Sequence, residues 1–145
     1  MICDVRLERF VAAQDPVFVQ VCAELAAGHK QSHWMWFIFP QLRGLGSSPA
    51  AQHFGISSLE EARTYLAHPL LGERLRHCTE LVNRIEGRSA QEILGYPDYL
   101  KFRSSMTLFA SAAAAGESGP FRQALAKYFA GEEDSLTREL LKTRG

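Results

Sequence analysis

"SHWMWFIFPQLRGLG", residues 32–46, places Trp34, Met35, Trp36, Phe37, Ile38 and Phe39 in six consecutive positions between His33 and Pro40. A short apolar run rich in aromatics suits a buried strand as well as a helix, so its own periodicity does not assign it. Its surroundings do. Ser32 is a candidate N-cap, the neighbouring segments carry helix signals, and Phe39 stands before Pro40, where a helix has to stop. At about 100° per residue, His33, Trp36, Phe37 and Pro40 share one side, Met35 and Phe39 the opposite side, and Trp34 and Ile38 a third. A helix apolar on all sides is a central one. The expectation is an all-α fold, one compact multi-helix domain over residues 1–145 built around this aromatic-rich helix.

Helix punctuation outside the run is dense. Asp15-Pro16 reads as an N-cap followed by proline at the first helical position, with Phe18, Val21, Cys22 and Leu25 on one face and Gly28 as the stop. "SLEE" from Ser58 and "SAQE" from Ser89 are capping boxes. Leu71, Leu75, Cys78, Val82 and Ile85 step by four and three, which predicts an amphipathic helix from about Pro69 to Ile85, closed at Gly87. From Pro97 a further helix sets Phe102, Met106, Phe109 and Ala113 on one face and ends by Gly116. Phe121 to Phe129 marks another before Gly131, and "DSLTRELL" a last one capped by Asp134. No segment reads securely as a strand, and no linker or internal repeat divides the chain.

A chain of 145 residues with 46% hydrophobic and 22% charged residues has enough apolar material for a core without metal or disulfide staples. Sixteen basic residues balance sixteen acidic ones, with no long run of one sign. That leaves little counterion-release affinity, so neither nucleic acid nor an anionic membrane is an expected partner. Asp4 and Glu8 interrupt the start where a signal peptide needs apolar residues, and no segment approaches the about 18 apolar residues of a membrane span. The expected location is the cytoplasm. Cys3, Cys22 and Cys78 are odd in number and widely spaced, which reads as reduced thiols in apolar surroundings.

Three stretches are candidates for chemistry. Core packing is the default role of the aromatic run. Yet buried indole N–H groups and an imidazole must find partners or cost about 1–3 kcal/mol each, and leucines would fill the space without that risk. A cleft wall, with Trp34 or Trp36 stacking and His33 titrating, accounts for the choice. "RGLGSSP", residues 43–49, places Arg43 before a Ser48-Pro49 helix start. It lacks the third glycine and the preceding strand of a dinucleotide fingerprint and the Gly-Lys-Ser/Thr of a P-loop, and a tight turn between helices is its preferred reading. The helix from Pro97 carries Arg103, Ser104, Thr107 and Ser111 on one side and Asp98, Lys101 and Ser105 on the next. Serine and threonine are poor helix formers, so this stripe suits close packing or the floor of a pocket. Asp98 and Lys101 also read as a surface pair. His29 and His33 lack the helical context of a metal pair, no cysteine has a polar setting, and no metal or cofactor is expected.

"LERFVAAQ", "GHKQSHWMWFIFPQLRGLGSSPAAQHFGI", "LEEARTYLAHPLLGERLR" and "DYLKFRSSMTLF" together resemble the bacterial DUF1810 family over nearly the whole chain. The resemblance implies a compact all-helical domain and brings no established reaction. Some members carry the label calpastatin, but that inhibitor is disordered and polar, the opposite of this composition. The family's characteristic positions include Lys30, His33, Trp34, Trp36, Gln41, Ser47, Asp98, Lys101, Ser104 and Ser105. Many are polar, which raises the expectation of a shared ligand site.

The expected site is a pocket between the 33–39 helix, the 40–48 loop and the 98–108 helix, holding a small anionic molecule such as a nucleotide or phosphorylated metabolite. Arg43, Lys101 and Arg103 would hold the anion, and Trp34 or Trp36 would stack. Gln41, Ser104 and Ser105 would orient polar edges, with Lys30, Ser47 and Asp98 alongside. If the ligand is turned over by hydrolysis or group transfer, His33 is the candidate general acid or base. The alternative is a helical protein-interaction module, which requires the aromatic cluster, or Tyr96 and Tyr99, to lie exposed in one patch.

Overall fold

The computed structural model describes residues 5–144. They form a 3-10 turn at Val5–Leu7 and α-helices α1 (Glu8–Gln14), α2 (Phe18–Ala26), α3 (Met35–Ile38), α4 (Pro49–His53), α5 (Leu59–Ala67), α6 (Leu71–Asn83), α7 (Ala90–Leu94), α8 (Asp98–Ala112), α9 (Gly119–Phe129) and α10 (Ser135–Arg144). The fold is all-α. The described residues contain no strand, only an isolated parallel bridge between Leu42 and Ile56.

Four of the ten described α-helices start at a side-chain cap. Ser48 and Ser58 accept from the third residue of α4 and α5, and Ser89 forms the complete capping box of α7. At α5 the box is half made, because the Glu61 carboxylate turns to the Ser57 amide and hydroxyl instead. Asp134 accepts from the amide and hydroxyl of Thr137 at the start of α10.

Asp15-Pro16 does not open α2; it separates α2 from α1. The reason lies far along the chain. Arg74 of α6 takes Asp15 at 2.9 Å and the Gln14 side-chain oxygen at 3.2 Å, so the Asp15 carboxylate is withdrawn from capping. Gln14 is itself buried and donates to the Phe37 carbonyl and the Tyr65 hydroxyl, which ties α1, α3, α5 and α6 into one satisfied polar contact.

α8 is the central element and packs against α5, α7, α9 and α10, while α6 packs against α2, α5 and α9. The α6 stripe of Leu71, Leu75, Cys78 and Val82 is fully buried, as its spacing requires. Gly72 is needed where α6 meets the end of α5: a Cβ there would stand 2.1 Å from the Leu66 carbonyl oxygen.

The aromatic run forms one helical turn, shorter than its sequence predicts. Trp34, and not Ser32, occupies the N-cap position, and it makes no side-chain cap. Met35, Ile38 and Phe39 are core residues, as expected, and Trp34 joins them. Phe39 meets Phe102 edge to face at 4.9 Å, which fastens this turn and the loop after it to α8.

Candidate functional site

The loop entering the aromatic run is organised by one buried carboxylate, Glu24 of α2. Its Oε1 accepts from the amides of Gln31 and Ser32 and from the Trp34 indole, and its Oε2 from the Ser32 hydroxyl and the Gln20 amide. Burial alone would raise its pKa; the donors of Ser32, Gln31, Gln20 and Trp34 outweigh it and hold the carboxyl far below the usual range. Ser32 donates both its amide and its hydroxyl to Glu24 and caps no helix.

The same loop carries Lys30. Its amide bonds the Ile93 carbonyl, and its ammonium lies 2.8 Å from Asp98 in the first turn of α8. Asp98 is also 3.5 Å from Lys101, whose ammonium stands 4.8 Å from the Trp36 ring centre. One carboxylate thus serves two ammonium groups, the nearer one being Lys30.

Beside this chain of contacts is an open cleft of about 440 Å³, a size that admits a small metabolite. One wall is Trp36, Gln41, Leu45 to Ser48 and Ala51; the other is Pro97, Leu100, Lys101, Arg103 and Ser104 of α8, with Asp134 and Leu136 closing the end. Gly46 lets the loop run against α4, since a Cβ there would stand 2.8 Å from that of Ala51. Arg103 is loosely paired with Asp134 at 3.9 Å, and its buried Nε has no acceptor among the described residues. Asp134 meanwhile spends its other oxygen on Thr137. Around the cleft three cations face two carboxylates.

Of the residues singled out from sequence, Trp36, Gln41, Ser47, Lys101, Arg103 and Ser104 line this cleft, and Lys30 and Asp98 flank it through Lys101. Four others are elsewhere. Trp34 is buried on Glu24, so it has no stacking face to offer. Arg43 donates to the carbonyls of Gln52 and Gly55 and lines a different cleft with Arg6, Arg9, His53 and Glu61. Ser105 is fully buried, and its hydroxyl has no partner among the described residues, because α8 turns that face into the core. His33 is exposed and outside the cleft lining.

The hydroxyl stripe on α8 therefore divides. Ser104 reaches the cleft while bonding the Leu100 carbonyl, whereas buried Thr107 bridges the Arg103 carbonyl to the Asp134 amide and so fixes the approach of α10. Sequence reasoning missed Glu24, which looks like one polar residue on an amphipathic helix, and the second role of Asp134, which looks like a cap alone. For the interaction-module alternative, the aromatic cluster is mostly buried, while Tyr96 is exposed with its ring 6.2 Å from that of Tyr99. No group of metal-binding side chains occurs among the described residues, and none of their helices is long and apolar enough to cross a membrane.

A family model described as "protein of unknown function (DUF1810)" matches residues 4–141. Among solved structures, that of the conserved hypothetical protein Rv1873 from Mycobacterium tuberculosis is similar, with 60% identity, a TM-score of 0.91, and coverage of 94% of this chain and 96% of that one. No curated protein matches.

Proposed function

We propose, from the premise that this chain belongs to the DUF1810 family, that it binds a small anionic metabolite carrying a flat or apolar body in the cleft between Trp36 and α8. The observation that carries this reading is the position of Lys101. It stands over Trp36 in the cleft and shares Asp98, its one ion-pair partner among the described residues, with Lys30, the closer claimant. A charge so placed is incompletely neutralised and gains from an anion, since hydrogen bonds between ionised groups are about twice as strong as neutral ones.

Lys101 and Arg103 form the anion-binding end of the site. Trp36, Leu45, Leu100 and Leu136 offer apolar surface to the rest of the ligand. Gln41, whose carboxamide makes no hydrogen bond among the described residues, and Ser47 and Ser104 orient its polar edges. Nucleoside monophosphates and phosphorylated sugars have this combination of charge and body. The reading is of binding, and it gives His33 no catalytic role.

The test is a thermal-shift screen of nucleotides, sugar phosphates and small dicarboxylates against the wild type and Lys101→Ala. A ligand at a hundredfold excess over its Kd adds about 2.7 kcal/mol to stability, which raises Tm by about 5–10 °C in a chain of this length. A response in the wild type that Lys101→Ala loses supports the cleft. Silence across the panel, or an undiminished response in the variant, overturns it.

A further inference from the structure

The isolated bridge between Leu42 and Ile56 sets Arg43 alongside Gly55: the Arg43 amide donates to the Ile56 carbonyl at 2.8 Å, and the Ile56 amide to the Gln41 carbonyl at 3.0 Å. Only glycine fits there, since a Cβ on residue 55 would stand 2.6 Å from that of Arg43. The Gly55 carbonyl becomes a meeting point. Arg43 and Arg9 each direct Nη2 to it at 3.0 Å, so the two nitrogens lie no farther apart than twice that distance. Arg9 is held further by its Nε on the His53 carbonyl at 2.7 Å, by the Arg6 carbonyl and by the Phe10 ring at 4.4 Å, and Arg43 by its Nε on the Gln52 carbonyl at 3.2 Å. Carbonyl acceptors orient a guanidinium without neutralising it.

Both groups open on a cleft of about 510 Å³ that Arg6 also lines. Its lining sets one carboxylate, Glu61, against three guanidinium groups. Glu61 is almost wholly buried and gives its Oε1 to the Ser57 amide and hydroxyl; it stands 3.8 Å from Arg9 and 4.0 Å from Arg6, beyond hydrogen-bond length to either. Arg43 makes no ion pair among the described residues, and its Nη1 makes no hydrogen bond among them. Gln52 and His53 complete the lining, so every side chain in it is polar. Such a cleft suits a ligand charged throughout, unlike the apolar-walled cleft beside Trp36.

We propose that this cleft binds a diphosphate group, with one phosphate on Arg43 and Arg9 and the other at Arg6. Guanidinium forks bond phosphate oxygens in pairs, and forks already fixed lose little freedom when an oxyanion arrives. Two like charges held side by side also repel, and an anion between them relieves that cost. The spacing sets the number of phosphates. Arg9 and Arg43 share one carbonyl, whereas Arg9 and Arg6 stand at different oxygens of the Glu61 carboxylate. Glu61 repels an anion set directly against it, so one oxyanion serves the first pair and a second, linked to it, reaches Arg6. The site is independent of ligand binding beside Trp36, because the two clefts share no lining residue.

Inorganic pyrophosphate is the probe, titrated calorimetrically at low salt into the wild type, Arg43→Ala, Arg6→Ala and Arg84→Ala, the last removing a positive charge outside the cleft. The wild type should bind one equivalent, about 10-fold more tightly than orthophosphate at matched ionic strength, the gain from a further charged contact. Arg43→Ala should weaken binding by about 10-fold or more, exposed Arg6→Ala by about 3-fold, and Arg84→Ala not at all. ADP titrated into Lys101→Ala, which disables the other cleft, separates two sources of the group. Affinity equal to that of pyrophosphate assigns the site to the diphosphate end of a larger molecule, and a much lower one to the free ion. No binding of pyrophosphate, an affinity no better than that of orthophosphate, or equal losses in Arg43→Ala and Arg84→Ala overturns the proposal. Arg43 also braces the 52–55 backbone, so if Arg43→Ala does not fold, Arg6→Ala decides, and an undiminished affinity there overturns it.

Discussion

The indole N–H of Trp34 donates to Oε1 of Glu24 at 2.9 Å, joining the most aromatic segment of the chain to a buried carboxylate on α2. Four further donors from Gln20, Gln31 and Ser32 complete the shell, so both oxygens of the carboxylate are satisfied. Without Glu24 two part-buried amides would lose their acceptor and the buried indole would be left unpaired, the latter at a cost of about 1–3 kcal/mol.

Glu24→Gln should therefore destabilise the protein by about 3 kcal/mol at pH 7, because the new amide turns a donor toward existing donors. The effect depends on pH with a defined sign. The folded carboxyl titrates well below the unfolded value of about 4.3, so its contribution is fully present above that pH and is lost as pH falls toward the folded value. Urea denaturation at pH 7 and pH 3 should show the wild type and variant converging at the lower pH. A constant gap would show that the carboxylate charge is not what the loop uses.

Trp34 and Trp36 differ in environment, and ligand binding should report on one of them alone. Trp34 is sealed in the core, while Trp36 lines the cleft beneath Lys101. An occupying ligand should alter Trp36 emission, and Trp36→Phe should abolish that change. Lys101→Ala should weaken binding by about 10- to 100-fold, the value of a charged hydrogen bond, with stability altered by less than about 1 kcal/mol. Calorimetric titration measures the first effect and denaturant melts the second.

Gly72→Ala should cost about 3 kcal/mol, since the methyl would meet a backbone carbonyl at 2.1 Å and the two helices must part to admit it. Gly87→Ala is the control. No atom lies within 4 Å of its added carbon, but its φ of +77° is strained for alanine, and the loss should be about 1 kcal/mol. Equal losses at the two sites would refute the close-packing account of Gly72.

Ser105→Ala should be neutral or stabilising by up to about 1 kcal/mol. The buried hydroxyl has no partner, so its removal breaks no hydrogen bond, and alanine is the better helix former. A loss above about 1 kcal/mol in chemical denaturation would mean that the hydroxyl is bonded in solution.

Local signals carried most of the fold. Ser48, Ser58, Ser89 and Asp134 cap the helices they precede, and the α6 stripe faces inward, because these features depend on residues three or four apart. Asp15 and Ser32 have equally good cap chemistry and were claimed by Arg74 and Glu24, partners whose positions only the folded chain defines. The candidate site divided along the same line. Trp36, Gln41, Lys101, Arg103 and Ser104 converge because Phe39 packs on Phe102, whereas Arg43, two residues from Gln41, reaches back to the Gln52 and Gly55 carbonyls and leaves the cleft. Which of two neighbouring polar residues faces a pocket was decided by contacts that spacing does not encode.

The division of Asp98 between two lysines makes the cleft sensitive to a helix that does not line it. Lys30 is held at Asp98 by a loop whose conformation rests on Glu24. Releasing that loop would return Asp98 wholly to Lys101 and quench the charge offered to a ligand. In the proposed site, affinity at α8 and order at the end of α2 should thus rise and fall together, a tuning point some distance from anything the proposed ligand would touch.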